Sequence, residues 1–141
     1  MIKIIVDTNI LISASLTGRH PEAVILCLVS NLDFMWVVSE EILAEYKAVL
    51  MRKKLKLSTE QQQRWLKIID AFTTTIDVNI SVDFPRDPKD AKFLECAIAS
   101  NADYLVTGDR DFDEISDLQN TRVVSASRFL EILELKAEEG I

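Results

Sequence analysis

Residues 1–13 read MIKIIVDTNILIS. Strand-like IKIIVD runs directly into helix-like TNILISASL, and the junction holds Asp7, Thr8 and Asn9. Asp and Asn are poor strand residues and indifferent helix residues. Between two apolar elements they either cap the helix or hold something. An almost unbroken apolar strand is one covered on both faces, as in a parallel sheet. A strand of that kind followed at once by a helix opens an α/β chain.

The alternation continues along the sequence. PEAVILCLVSN reads as a helix with Pro21 in its first turn, where the missing N–H costs nothing. DFMWVVS is a second strand, and EEILAEYKAVLMRKKL a helix with Ser39 as its N-cap. STEQQQRWLKIIDAF is a helix opened by a Ser58-x-x-Gln61 capping box, and TIDVNI a short strand. DPKDAKFLECAIASN is a helix with Asp87 as N-cap and Pro88 at its first position. DYLVTG is a strand, RDFDEIS a turn or short helix, TRVVSA a strand, and SASRFLEILELKAEE the closing helix. The expected fold class is α/β, a three-layer α/β/α sandwich with a mainly parallel sheet of about five strands. Residues 1–141 are expected to form one domain, with a helical insert at about 51–75.

Bulk composition narrows the function. With 48% hydrophobic residues in 141 the chain can bury a real core. The longest apolar runs, such as ILCLV, are too short to cross a bilayer. No secretory leader is expected, because Asp7 interrupts the first apolar run. Cys27 and Cys96 sit in apolar, helix-like stretches and read as reduced core cysteines of a cytoplasmic protein. A single histidine, His20, excludes paired-histidine chemistry and His-rich zinc sites. No glycine pattern supports a dinucleotide fold or a P-loop. The net charge of −7 argues against binding a polyanion through a broad basic surface.

In open parallel sheets the working residues collect beyond the carboxyl ends of the strands. That rule selects Asp7 after the first strand and Asp109 after DYLVT. It adds Glu45 on the helix after the second strand and Asp90 in the first turn of the helix before DYLVT. Each has a bland alternative. Asp7 caps a helix equally well, Asp90 suits a helix start, and Asp109, Asp111 and Asp113 suit a solvated turn. Glu45 borders the apolar stripe of Ile42, Leu43, Tyr46, Val49 and Leu50, while Glu41 points further outward.

Several carboxylates on one rim repel each other, and a divalent cation offsets that repulsion. Their oxygens suit Mg²⁺ or Mn²⁺, with Asn9 and Thr107 placed to orient carboxylates or water. Such a site supports phosphoryl chemistry, and a metal inverts the local sign of an acidic surface. Lys47 and RKKLK at 52–56 are either a track for a polyanion or a solvated helix end.

VDTNILIS, SEEILAEYKAVL and RDPKDAKFLECAIASNADYLVTGDRDF, in this order, resemble the PIN-domain family across essentially the whole chain. The likeness is greatest to its small single-domain prokaryotic members, the VapC-type toxins of toxin–antitoxin pairs. The resemblance implies an Mg²⁺- or Mn²⁺-dependent endoribonuclease with an acidic quartet of Asp7, Glu45, Asp90 and Asp109. Asp111 is a secondary candidate, and Asn9 and Thr107 fall on supporting polar positions. The resemblance also implies an RNA substrate, a cognate antitoxin and a homodimer.

Rival readings are weaker. An aspartyl phosphatase needs a second Asp where Asn9 stands, and a phosphoacceptor receiver needs an acidic pair and a late lysine that IIVDT and RVVSA lack. A non-catalytic docking module of the same fold, or a nuclease acting on DNA, stays open at this point.

Overall fold

The computed structural model describes residues 1–17, 19–80, 90–108, 117–118 and 120–139. IKIIVD forms β1 (Ile2–Val6), fully buried from Ile4 onward. The chain passes through Asp7 into α1 (Thr8–Leu16), then α2 (Arg19–Ser30), β2 (Phe34–Val38) and α3 (Glu40–Leu50). A 3₁₀ turn at Lys53–Leu55 leads to α4 (Thr59–Phe72), β3 (Thr73–Thr75), α5 (Ala91–Ser100) and β4 (Tyr104–Val106). The described part ends with β5 (Asp117–Leu118), β6 (Thr121–Val124) and α6 (Ala126–Glu139).

The strands form one sheet in the order β3-β2-β1-β4-β6-β5. Every pairing is parallel except β5 with β6. The three-layer α/β/α fold and its five parallel strands are therefore those expected from the alternation. From β1 the chain builds outward through β2 to β3, then returns to place β4 on the opposite side of β1. The seam between β1 and β4 is thus the switch point of the sheet, where a crevice opens beyond the strand ends.

Among the described residues one apolar cluster joins the sheet to six helices, with Trp36, Tyr46, Phe93 and Phe129 its largest fully buried side chains. Helix α4 takes part through Trp65 and Ile69, so the stretch read as an insert contributes to the core. Its capping box is present: the Ser58 hydroxyl accepts from the Gln61 N–H, and the Gln61 side chain accepts from the Ser58 N–H. Ser39 caps α3 by accepting from the Ile42 N–H at 3.1 Å.

Several expected boundaries move. Helix α3 stops at Leu50, because the Arg52 N–H closes back on the Val49 carbonyl and Lys56 turns the chain with φ 55°. Helix α2 begins at Arg19, two residues before Pro21. The strand expected over TIDVNI lies at Thr73–Thr75, with Ile76 donating one further bond to Val38. Three β-branched residues pair there with Trp36, Val37 and Val38, and strand propensity outweighs their place at a helix end. The two-residue β5 was not anticipated. Asp87, Pro88 and the turn over RDFDEIS lie outside the described residues.

Candidate active site

The site is built from the ends of β1 and β4. Their register pairs Val6 with Val106, and the Asp7 N–H continues the ladder by donating to the Val106 carbonyl at 2.9 Å. Asp7 and Thr107 therefore emerge side by side at the switch point. Asp7 is only 2% exposed. Its Oδ2 accepts from the Thr107 hydroxyl at 2.7 Å, and its Oδ1 accepts from the Asn9 N–H at 3.3 Å, the N-cap bond of α1. Cap and buried rim carboxylate are the same group. A capping carboxylate ordinarily sits in water, so burial at a sheet end asks for more than a cap. The Asn9 side chain is exposed, and what it supplies to Asp7 is backbone N–H.

Glu45 reaches the same rim from α3. It is half-buried on the border of the apolar stripe, while Glu41 is exposed, as the helical spacing predicts. The hydroxyl of Thr8, the residue after Asp7, donates to Glu45 Oε2, and the Lys92 ammonium of α5 lies 3.1 Å from Oε1. Thr8, Glu45 and Lys92 thus stitch the start of α1, the middle of α3 and the start of α5 together.

One residue on, Tyr46 is fully buried, and its hydroxyl donates to the Val6 carbonyl at the end of β1. The Trp36 indole N–H approaches the same hydroxyl at 3.4 Å. Burial pushes the Tyr46 phenol far above its ordinary pKa, the Trp36 hydrogen bond opposes this, and the charge of Asp7 adds to it. The tyrosine is a neutral strut that ties α3 to the strand carrying Asp7.

Asp90 stands at the head of α5, with its Oδ2 shielded from solvent. The sequence reading put it at the third helical position behind Asp87. It immediately precedes Ala91 in right-handed helical backbone, and its side chain makes no capping hydrogen bond; residues 87–89, on which the third-position reading depends, lie outside the described residues. Capping therefore does not account for this carboxylate. Asp109 and Asp111 lie outside the described residues.

The donor chemistry fits a hard divalent cation, since every candidate ligand on this rim is an oxygen. Among the described residues alone, no group of three Asp, Glu, His or Cys side chains forms a metal cage. A groove of about 320 Å³ adjoins the site along the ends of β2 and β3, with Lys92 in its wall and Glu40, Glu41, Asp77 and Glu95 around it. Through Lys92 this groove sets further acidic side chains beside Glu45.

Sequence reasoning missed Thr8, Tyr46 and Lys92. The signal for Lys92 was available. Helix α5 buries Ala91, Phe93, Leu94, Cys96 and Ala97, and a lysine amid such neighbours calls for a partner.

No helix among the described residues is long and apolar enough to cross a membrane. Solved structures of similar fold include a chain of VapBC-1 from nontypeable Haemophilus influenzae, at TM-score 0.62 and 20% identity, covering 89% of this chain and 99% of that one. VapBC2 from Rickettsia felis, bound to a DNA fragment from its promoter, gives TM-score 0.58 at 20% identity over 88% and 98%. PAE2754 from Pyrobaculum aerophilum gives TM-score 0.59 at 15% identity over 95% and 96%. In sequence, an uncharacterized protein of Methanocaldococcus jannaschii is 32% identical over 119 residues, which is 82% of this chain and 76% of that protein. The sequence model of the PIN domain matches residues 3–111, which include Asp7, Glu45, Asp90, Asp109 and Asp111. On that match and that relative, this chain belongs to the PIN domain family.

Proposed function

We propose that this protein is a metal-dependent endoribonuclease that hydrolyses RNA phosphodiester bonds as the toxin of a toxin–antitoxin pair. The observation that carries the reading is Asp7, a buried carboxylate at the β1–β4 switch point held by Thr107 and the Asn9 N–H. Membership of the PIN domain family supports the reaction class. The acidic quartet of Asp7, Glu45, Asp90 and Asp109 would hold Mg²⁺ or Mn²⁺, with Asp111 as a further acid. When bound, such an ion supplies positive charge to a phosphate oxygen and a water of lowered pKa.

This chain's own residues do the positioning. Thr107 and the Asn9 N–H fix Asp7 in one rotamer, Thr8 and Lys92 fix Glu45, and Tyr46 sets α3 against the end of β1. The fold likeness to VapBC complexes supports a cognate antitoxin as partner, and the acidic side chains at the site suit one that presents a cation. A homodimer is the expected assembly.

The test is cleavage of a fluorescent RNA oligonucleotide and its matched DNA strand, with Mn²⁺ and with EDTA. RNA cut only with metal supports the proposal. DNA cut in preference replaces the substrate class. A purified, metal-loaded protein that cuts neither supports a docking module of the same fold.

A further inference from the structure

Lys92 enters the nuclease reading only as a prop for Glu45, yet it brings a buried positive charge to the site. Its side chain is 9% exposed, it follows Asp90 by two positions, and its ammonium lies 3.1 Å from Glu45 Oε1. The Thr8 hydroxyl occupies Oε2 of the same carboxylate. Both oxygens of Glu45 are therefore already engaged by donors from this chain. The ammonium also stands 5.4 Å from the centre of the Phe93 ring. Burying a lysine is unfavourable unless it is paired, so this cation is a fixed part of an otherwise acidic rim.

We propose that Lys92 stands in for a second divalent ion, so that each chain binds one Mg²⁺ or Mn²⁺ and not two. The inference rests on the metal-dependent reading above. In two-metal sites the ions lie about 3.5–4 Å apart and draw their ligands from a shared carboxylate rim. Here the charge of Glu45 is offset by the ammonium, and a divalent ion seated on Oε1 would have to displace it or meet its repulsion. Oε2 keeps a lone pair beyond its bond to Thr8, so Glu45 would still have an oxygen to offer a single ion. An ammonium is a compact point charge with three donors. Fixed on this rim, it offers a phosphate oxygen the positive charge that a second metal would otherwise bring. Lys92 is thus a positioning residue towards Glu45 and sets the metal count.

The experiment counts Mn²⁺ bound to the full chain by calorimetry and by electron paramagnetic resonance. Wild type is expected to take up one ion, Lys92→Arg also one, and Lys92→Met two, with the spectrum of a coupled Mn²⁺ pair. Two ions in wild type, or one ion in a folded Lys92→Met variant, would overturn the proposal. If Lys92→Met does not fold, wild type decides: two ions overturn the proposal, and one supports it when Lys92→Arg matches. Wild type that binds no Mn²⁺ would remove the nuclease reading and this inference together. Two ions in a wild type that cuts RNA would remove only the role of Lys92.

Discussion

Replacing Asp7 by asparagine separates its two roles, cap and ligand. The amide has the same shape, and Asn caps a helix about as well as Asp. With its oxygen towards the Asn9 N–H the cap survives, and its nitrogen donates to the Thr107 oxygen, so that the Thr107 hydroxyl turns from donor to acceptor. Loss of charge assistance costs about 1 kcal/mol. Relief from burying a carboxylate that is 2% exposed offsets a similar amount. The net change should stay within about 1 kcal/mol, which for a domain of this size is a shift in Tm of less than about 4 °C. Asp7→Ala loses the cap, about 1 kcal/mol, and leaves the Thr107 hydroxyl without its acceptor, about 1–2 kcal/mol more. It should melt roughly 6–12 °C lower.

Metal tells the two roles apart. Mn²⁺ at about 100 times its Kd should stabilise wild type by about 2.7 kcal/mol and leave Asp7→Asn unmoved. Melts followed by circular dichroism, with Mn²⁺ and with EDTA, make the comparison, and RNA cleavage should be lost in the same variant. The reasoning fails if Asp7→Asn melts as low as Asp7→Ala, if Mn²⁺ raises its Tm as in wild type, or if it still cuts RNA at the wild-type rate.

Three further outcomes follow from the same contacts. Tyr46→Phe removes the hydroxyl that joins α3 to the Val6 carbonyl and should cost about 1–3 kcal/mol, read as a lower urea midpoint. Ile69→Ala, at a fully buried position on α4, should cost about 2–5 kcal/mol; a loss under about 1 kcal/mol would mean that α4 is dispensable to the core. Burial raises Cys96 from about 9 to about 12 and pushes Tyr46 upward from about 10. Both folded-state values lie above the unfolded ones, so the stability they contribute is complete below about pH 9 and is lost as pH rises past it. The slope approaches about 1.4 kcal/mol per pH unit for each group, and a melting temperature flat from pH 8 to 11 would contradict this.

Much of this was legible because patterning and caps are local. Apolar runs gave the strands, Ser39 and the Ser58–Gln61 box marked helix starts, and the strand-end rule singled out Asp7. What escaped depends on partners distant in sequence. The strand expected over TIDVNI starts two residues earlier, at Thr73, because the free edge of β2 sets its register, and β5 exists only as the partner of β6. Asp90 looked like part of a helix start because its neighbours are Asp87 and Pro88, yet its side chain does not cap α5. Lys92 and Thr8 gain meaning only when three helices converge on Glu45.

Among the described residues the sheet is bounded by a three-residue strand on one margin and a two-residue strand on the other. Such margins offer a neighbouring molecule almost no backbone to extend, which guards against runaway strand addition. Self-association of this chain is therefore expected to join helical flanks. A peptide inhibitor designed to lengthen the sheet would find little to grip.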